Sequence, residues 1–183
     1  MGRLPWDLYF LGMCEAASQR SIDAETQVGA VIVDENRRIV RTGYNAFPAG
    51  VDDEFWPRDR STTVKVPAVK VTRQYGSRGD SEPRTARNLV DVWERTPGLF
   101  YEVDKYMAMT HAELNAVVAA GQDLHGCTLY TLLFPCHECA KAIITAGIRR
   151  VVFEATREDR SWAVAKELFI QAKVTLDEVH RDP

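Results

Sequence analysis

Between Thr110 and Val179 short β-branched runs alternate with stretches of helical periodicity, and this alternation restricts the fold more than any other feature. Helices are expected over His111–Ala120, Cys136–Ala146 (stopped by Gly147) and Trp162–Ala172, with strands over Cys127–Leu133, Arg150–Ala155 and Val174–Val179. Strands separated by helices of about three turns pack as a largely parallel sheet covered on both faces. Upstream, Pro5 suits a first helical position, and Trp6, Phe10, Met13 and Ala17 recur at helical spacing. A helix over Pro5–Arg20 with that stripe buried is expected. Val28–Val33 and Arg38–Gly43, joined by Asp34-Glu35-Asn36, read as a hairpin.

The stretch Val51–Lys105 breaks the pattern, holding four of the eight prolines and a polar middle (Arg73–Arg87) rich in Gly, Ser and Arg. Too few apolar residues cluster there for a separate core. It reads as an insertion at about residues 51–105 within one domain spanning 1–183, with an edge strand at Val64–Pro67 and a helix at Arg84–Arg95.

Lys plus Arg number 23 against 26 Asp plus Glu, a formal charge of −3, and this lacks the basic excess of duplex binders, so nucleic acid is disfavoured as a partner. No apolar run approaches the roughly 18–20 residues of a membrane span. The opening Met-Gly-Arg-Leu-Pro-Trp lacks the apolar core of a secretion signal. Four cysteines, two of them in a Cys-x-x-Cys, make no disulfide framework. A soluble, cytoplasmic protein is expected.

Two short stretches carry the chemistry: Thr110-His111-Ala112-Glu113 and Phe134-Pro135-Cys136-His137-Glu138-Cys139, each opening an expected helix. Cys136 and Cys139 stand at i and i+3, on one face of a first turn where the helix dipole favours thiolates. With His111 they make three good zinc ligands. Structural zinc sites are closed by a fourth protein ligand, whereas catalytic ones keep a position open. Cys127 would lie ~20 Å away at the far end of its strand, and His137 points about 100° around the helix from Cys136. Neither closes the site. Open zinc brings the pKa of a water to about 7, and Glu113 is the candidate proton carrier. Residues at i and i+2 do not share a face in mid-helix, so His111 and Glu113 can meet only if the pair sits at the very start of the helix. Other readings exist for each part: Thr110-x-x-Glu113 also fits a capping box, and Cys-x-x-Cys after a strand also fits a redox pair. Together the parts favour a catalytic zinc site.

His-x-Glu followed by Pro-Cys-x-x-Cys is the pattern of zinc deaminases acting on nucleobases. The chain resembles the dCMP deaminase family within the cytidine deaminase superfamily. The resemblance rests on Arg20–Asp23, Thr26–Val33, Thr42–Gly50, His111–Ala116, Leu133–Lys141 and Ala146–Phe153 and covers nearly everything outside the insertion. It implies an α/β/α three-layer sandwich around a mixed, mostly parallel five-stranded sheet. It implies hydrolysis of dCMP to dUMP and ammonia, with Zn²⁺ on His111, Cys136 and Cys139 and Glu113 carrying a proton from water to N3 and then to the leaving amine. Ala112 is expected against the base and Asn45 near the sugar, with Arg20 and Ser21 as candidates for the 5′-phosphate because an Arg fork suits phosphate oxygens. Ala46, where the family usually has glycine, lies with Phe47 and Gly50 in a segment linked to dCTP and dTTP regulation, and Ile22 replaces a common lysine. Without extra Cys or His in the insertion, one zinc per chain is expected; Mg²⁺ enters only with a nucleotide effector. Relatives are homo-oligomers, usually hexamers. The alternatives are a deaminase of 5-substituted dCMP, dCTP or a tRNA or single-stranded DNA base, a structural zinc module, and the redox pair.

Overall fold

The computed structural model describes residues 2–75 and 89–180. Its elements are α1 (Trp6–Ser18), β1 (Gly29–Val33), β2 (Ile39–Tyr44), β3 (Val64–Tyr75), β4 (Leu89–Val103), α2 (Ala112–Val118), β5 (Thr128–Leu133), α3 (His137–Thr145), β6 (Arg150–Ala155), α4 (Arg160–Gln171) and β7 (Thr175–Glu178). A five-stranded sheet runs in the order β2-β1-β5-β6-β7. β1 is antiparallel to both β2 and β5, while β5–β6 and β6–β7 are parallel. Four strands therefore point one way and only β1 is reversed, the mixed, mostly parallel sheet expected. No helix among the described residues is long and apolar enough to cross a membrane.

Strand alternation sorts the core into two layers. Val31, Val33, Tyr130 and Val152 face α1 through Phe10, Leu11 and Cys14. Ala30, Ile32, Leu129, Val151 and Phe153 face the opposite layer, where Ala112 and Ala116 of α2, Ala140 and Ile143 of α3, and Ala165 and Phe169 of α4 are packed. Two glycines set how close the helices come. A Cβ on Gly29 would lie 1.8 Å from the Cys14 carbonyl oxygen, and one on Gly43 would lie 2.2 Å from that of Ala112. Only glycine leaves room for such approach of backbone to backbone.

The Gly29 contact corrects the expected stripe of α1. The buried residues are Phe10, Leu11, Cys14 and Ser18, while Trp6 is 48% exposed and stacked on Phe10. A helix lying on the backbone of β1 needs small side chains at the contact, so Cys14 and Ser18 take it and the large indole is left outside.

Within the insertion the expected strand is longer than read, and the expected helix is a strand. β3 and β4 form an antiparallel hairpin from Val64↔Val103 to Tyr75↔Leu89, irregular between Pro67 and Val69. Proline is tolerated at such an irregularity. Residues 84–88 of the expected helix lie outside the described residues, and 89–95 belong to β4. The alternation Leu89-Val90-Asp91-Val92-Trp93 suits a strand once β3 provides a partner, and that pairing overrides local helical preference.

Candidate metal centre and active site

The segment after β2 is tied to the segment before α2 by a bridge: the Ala46 N–H donates to the Thr110 carbonyl at 3.1 Å, and the Thr110 N–H to the Ala46 carbonyl at 2.8 Å. The Asn115 amide, donating to the Tyr44 carbonyl at 2.8 Å, pins α2 to the same strand. Thr110 is thus a bridge residue. The residue capping α2 is His111, with extended backbone (φ −68°, ψ 157°) and no side-chain cap bond, which replaces the capping-box reading. Because His111 stands outside the helix, the mid-helix rule for i and i+2 does not apply to it and Glu113.

Cys136 occupies the matching position at the start of α3, and Cys139 lies in its first turn. His111 Nδ1 is 3.3 Å from Cys136 Sγ and 3.5 Å from Cys139 Sγ, and the three atoms lie within 4.8 Å of one another. A tetrahedral centre with bonds of ~2.0 Å to nitrogen and ~2.3 Å to sulfur has edges of about 3.5 Å, so this donor set fits zinc. The two thiols are not joined as a disulfide. Cys127 sits before β5, at the end away from the Phe134–Cys136 loop, and the His137 ring is held by Ser161 Oγ at 2.8 Å, so neither joins the cluster.

Glu113 is 4% exposed, and its Oε2 accepts from Cys139 Sγ at 3.7 Å. Burial pushes its carboxyl above the ordinary carboxylate range, against the pull of the His111 ring. The neighbouring Cys139 thiol and the His111 ring, despite burial, pull the Cys136 thiol well below the ordinary thiol range, while Cys136 and burial push Cys139 up. The contact with Cys136 in turn raises the His111 ring, against burial. A divalent ion would suit these donors, because coordinated thiols are deprotonated outright.

The cluster opens into a cleft with a cavity volume of about 130 Å³. Val28, Met109, Leu133, Phe134 and Trp162 form its apolar walls, and Asp23, Asn45, Glu113, Arg157 and Ser161 bring polar atoms. Ala112 lines it beside Glu113. Asn45 is on the wall, where its Oδ1 accepts from the Val28 N–H (2.8 Å) and its Nδ2 donates to the Thr26 carbonyl (2.9 Å). The longer Nδ2 contacts, 3.4 Å to Asp23 Oδ2 and 3.6 Å to Met109 Sδ, leave that amide's second proton loosely held.

Arg20 and Ser21 do not line this cleft. Ser21 Oγ is committed to the Asn45 carbonyl (2.9 Å) and the Asp23 N–H (3.2 Å). Arg20 instead lines a second cavity of about 220 Å³ with Ile22, Ala46, Phe47 and Gly50. The structure thereby brings Ala46, Phe47 and Gly50 together and adds Arg20 to them. Sequence reasoning missed Arg157, whose signal is its place after β6. Parallel pairing of β5 with β6, extended by Phe134 N–H to the Ala155 carbonyl at 2.8 Å, puts the loops following both strands on one side. Ligands of α/β sheets gather at such carboxyl ends.

A three-donor metal centre with a buried carboxylate beside it, on an α/β/α sandwich, is the arrangement of a zinc-dependent hydrolytic enzyme. Residues 4–155 match the family model of the cytidine and deoxycytidylate deaminase zinc-binding region. Deoxycytidylate deaminase of Mus musculus is 35% identical over 175 residues, covering 94% of this chain and 78% of that protein. The deoxycytidylate deaminase of Mycobacterium phage D29 is 37% identical over 155 residues, covering 84% and 97%. In fold, the chain is similar to the crystal structure of dCMP deaminase from cyanophage S-TIM5 in complex with dCMP and dUMP, with a TM-score of 0.60, 18% identity and coverage of 98% and 100%. The chain belongs to the cytidine and deoxycytidylate deaminase family.

Proposed function

We propose that this protein hydrolyses dCMP to dUMP and ammonia. The observation that carries the reading is the buried Glu113 carboxylate against the His111–Cys136–Cys139 donor set in a cleft the size of a small heterocycle's surroundings. The deoxycytidylate deaminases that match over most of their own length support the choice of substrate. His111 Nδ1, Cys136 Sγ and Cys139 Sγ would hold one zinc ion per chain, which would supply the Lewis acidity that makes a water nucleophilic at neutral pH. Glu113 accepts one proton of that water and passes it to N3 as oxygen adds to C4. It then takes the second from the resulting C4 hydroxyl and gives it to the amine, which leaves as ammonia as the C4 carbonyl forms. Burial, which favours the neutral acid, suits a carboxyl that must hold the proton between transfers.

Phe134 and Trp162, with ring centroids 5.7 Å apart, wall the base. The Ala112 backbone meets its edge, and the loose Asn45 amide proton faces the sugar. Arg157, the one Lys or Arg lining the cleft among the described residues, takes the 5′-phosphate in place of Arg20 and Ser21. A single cation suits a mononucleotide better than a polynucleotide. The second cavity, with Arg20, Ala46, Phe47 and Gly50, is the place for a dCTP or dTTP effector, with Mg²⁺ if the effector carries it. The wider reading is a single cytoplasmic deaminase domain over 1–183 with an insertion at about 51–105, assembled as a homo-oligomer of the family's hexameric kind.

The test is ammonia release from a panel of dCMP, CMP, dCTP, deoxycytidine and 5-substituted dCMP. The expected result is the highest kcat/KM on dCMP or its 5-substituted form. Deamination of oligonucleotides with none of dCMP contradicts the reading.

A further inference from the structure

Lys105 belongs to none of the chemistry-bearing motifs, yet it is 1% exposed at the end of the insertion. Its ammonium donates to Asp23 Oδ1 (2.7 Å) and Oδ2 (2.9 Å) and to Glu25 Oε2 (3.3 Å). Asp23 is itself 4% exposed and lines the cleft; its Oδ1 also accepts from the N–H groups of Glu25 (2.8 Å) and Thr26 (2.9 Å), and its Oδ2 faces Asn45 Nδ2. Burial raises the Asp23 carboxyl, and Lys105 with the two N–H groups more than reverses this, so the group is an anion at neutral pH. Glu25 has a second partner in Arg60, whose Nε lies 3.0 Å from Oε2. The acids thus come from the loop after α1, and both cations come from the two ends of the inserted segment.

An anion in the wall of a cleft that takes a phosphate ester repels its ligand unless it is neutralised. We propose that Lys105 is a positioning residue that acts through Asp23. It cancels the carboxylate's charge behind the wall and so sets the preference for a nucleoside monophosphate over the neutral nucleoside. The feet of the insertion are in this way part of substrate selection. The inference rests on the reading of the cleft as a dCMP site.

The experiment compares kcat and KM on dCMP and deoxycytidine, with zinc content, for wild type, K105M, K105R, D23N and D23N/K105M. Where deoxycytidine turns over too slowly, inhibition constants of dUMP and deoxyuridine give the same ratio. K105M is expected to lose about tenfold or more in kcat/KM on dCMP, through KM, with deoxycytidine changed less than about threefold and zinc retained. K105R restores most of the loss, and D23N/K105M returns the dCMP to deoxycytidine ratio to near the wild-type value. Should K105M fail to fold, D23N reads the effect from the other side: an ammonium freed of Asp23 raises the ratio. Equal losses on both substrates, or a ratio that is flat across the variants, overturns the inference. Wild-type protein inactive on dCMP overturns the underlying function instead.

Discussion

Two polar clusters face the same cleft, and they differ in what their atoms have left to give. The Asp23–Lys105 cluster is closed: the three donors of the ammonium meet three carboxylate oxygens at 2.7–3.3 Å, and backbone N–H groups take up Asp23 Oδ1. The His111–Cys136–Cys139 cluster is less sequestered, with Cys139 buried and His111 and Cys136 partly exposed at the cleft, and its contacts are sulfur–nitrogen approaches of 3.3 and 3.5 Å with weak thiol donors. Hard nitrogen and oxygen partners satisfy each other and build a wall. Soft donors crowded at tetrahedral edge distances keep lone pairs for a metal. Burial alone therefore does not mark a reactive site; the kind of partner does.

The sharpest way to break this contrast is at the open cluster. Glu113→Gln keeps the shape of the side chain and removes its ability to carry a proton, so kcat on dCMP should fall by about 10²–10⁴ or more, while zinc measured by atomic absorption stays at one per chain. Retained turnover refutes the proton carrier. Cys136→Ser weakens the donor set itself, and the expected outcome is loss of both zinc and activity, with neither recovered at ordinary zinc concentrations.

The next effect in size concerns the contact that brings the cluster together. Gly43→Ala forces a methyl group to within 2.2 Å of the Ala112 carbonyl oxygen. Overpacking of this kind costs about 1–3 kcal/mol, and here it also displaces the start of α2, so thermal stability and kcat should fall together. A variant with full activity and unchanged melting temperature contradicts the packing argument.

A second closed cluster gives a smaller effect on stability and none on chemistry. Arg150 clamps Asp7 with two bonds of 2.9 Å and Asp177 with one of 2.6 Å, and Tyr130 OH donates to Asp7 Oδ1 at 2.8 Å, tying α1 to three strands. The Arg150 guanidinium, acting against burial and helped by Tyr130, holds the Asp7 carboxyl below its ordinary 3.8. Asp7 therefore binds fewer protons in the folded chain than in the unfolded one. Its contribution is complete above about pH 4 and disappears as the pH falls through the lowered folded value. Asp7→Asn should cost about 1–2 kcal/mol at neutral pH, since the network is partly exposed, and the two proteins should converge in acid. A constant gap in melting temperature down to pH 2 excludes this linkage. Smallest of all, Phe100→Ser on the exposed hairpin should change stability by no more than about 0.5 kcal/mol.

These outcomes track what could be read before any coordinates. The clustering of His111, Cys136 and Cys139 beside Glu113 was legible because a metal needs particular side chains at short sequence spacing beside helix starts, and that requirement is local. The alternation of strands and helices after Thr110 was legible for the same reason, with boundaries shifted by one or two residues. Lys105, Arg157 and the true contact face of α1 were not, since each depends on which distant segment arrives beside it. Lys105 meets a partner 82 residues away, Arg157 acquires its place from the parallel pairing of β5 and β6, and Cys14 and Ser18 are chosen by Gly29. The strand at residues 89–95 is not legible locally because it depends on pairing with β3, which extends well beyond Val64–Pro67.

The most direct measurement is a zinc titration of metal-free protein followed by ammonia release from dCMP. The account predicts no activity without metal, a rise proportional to added zinc, and a plateau at one equivalent per chain with Glu113→Gln silent throughout. Full turnover by the metal-free protein, or zinc bound stoichiometrically with no turnover by the wild type, would contradict it.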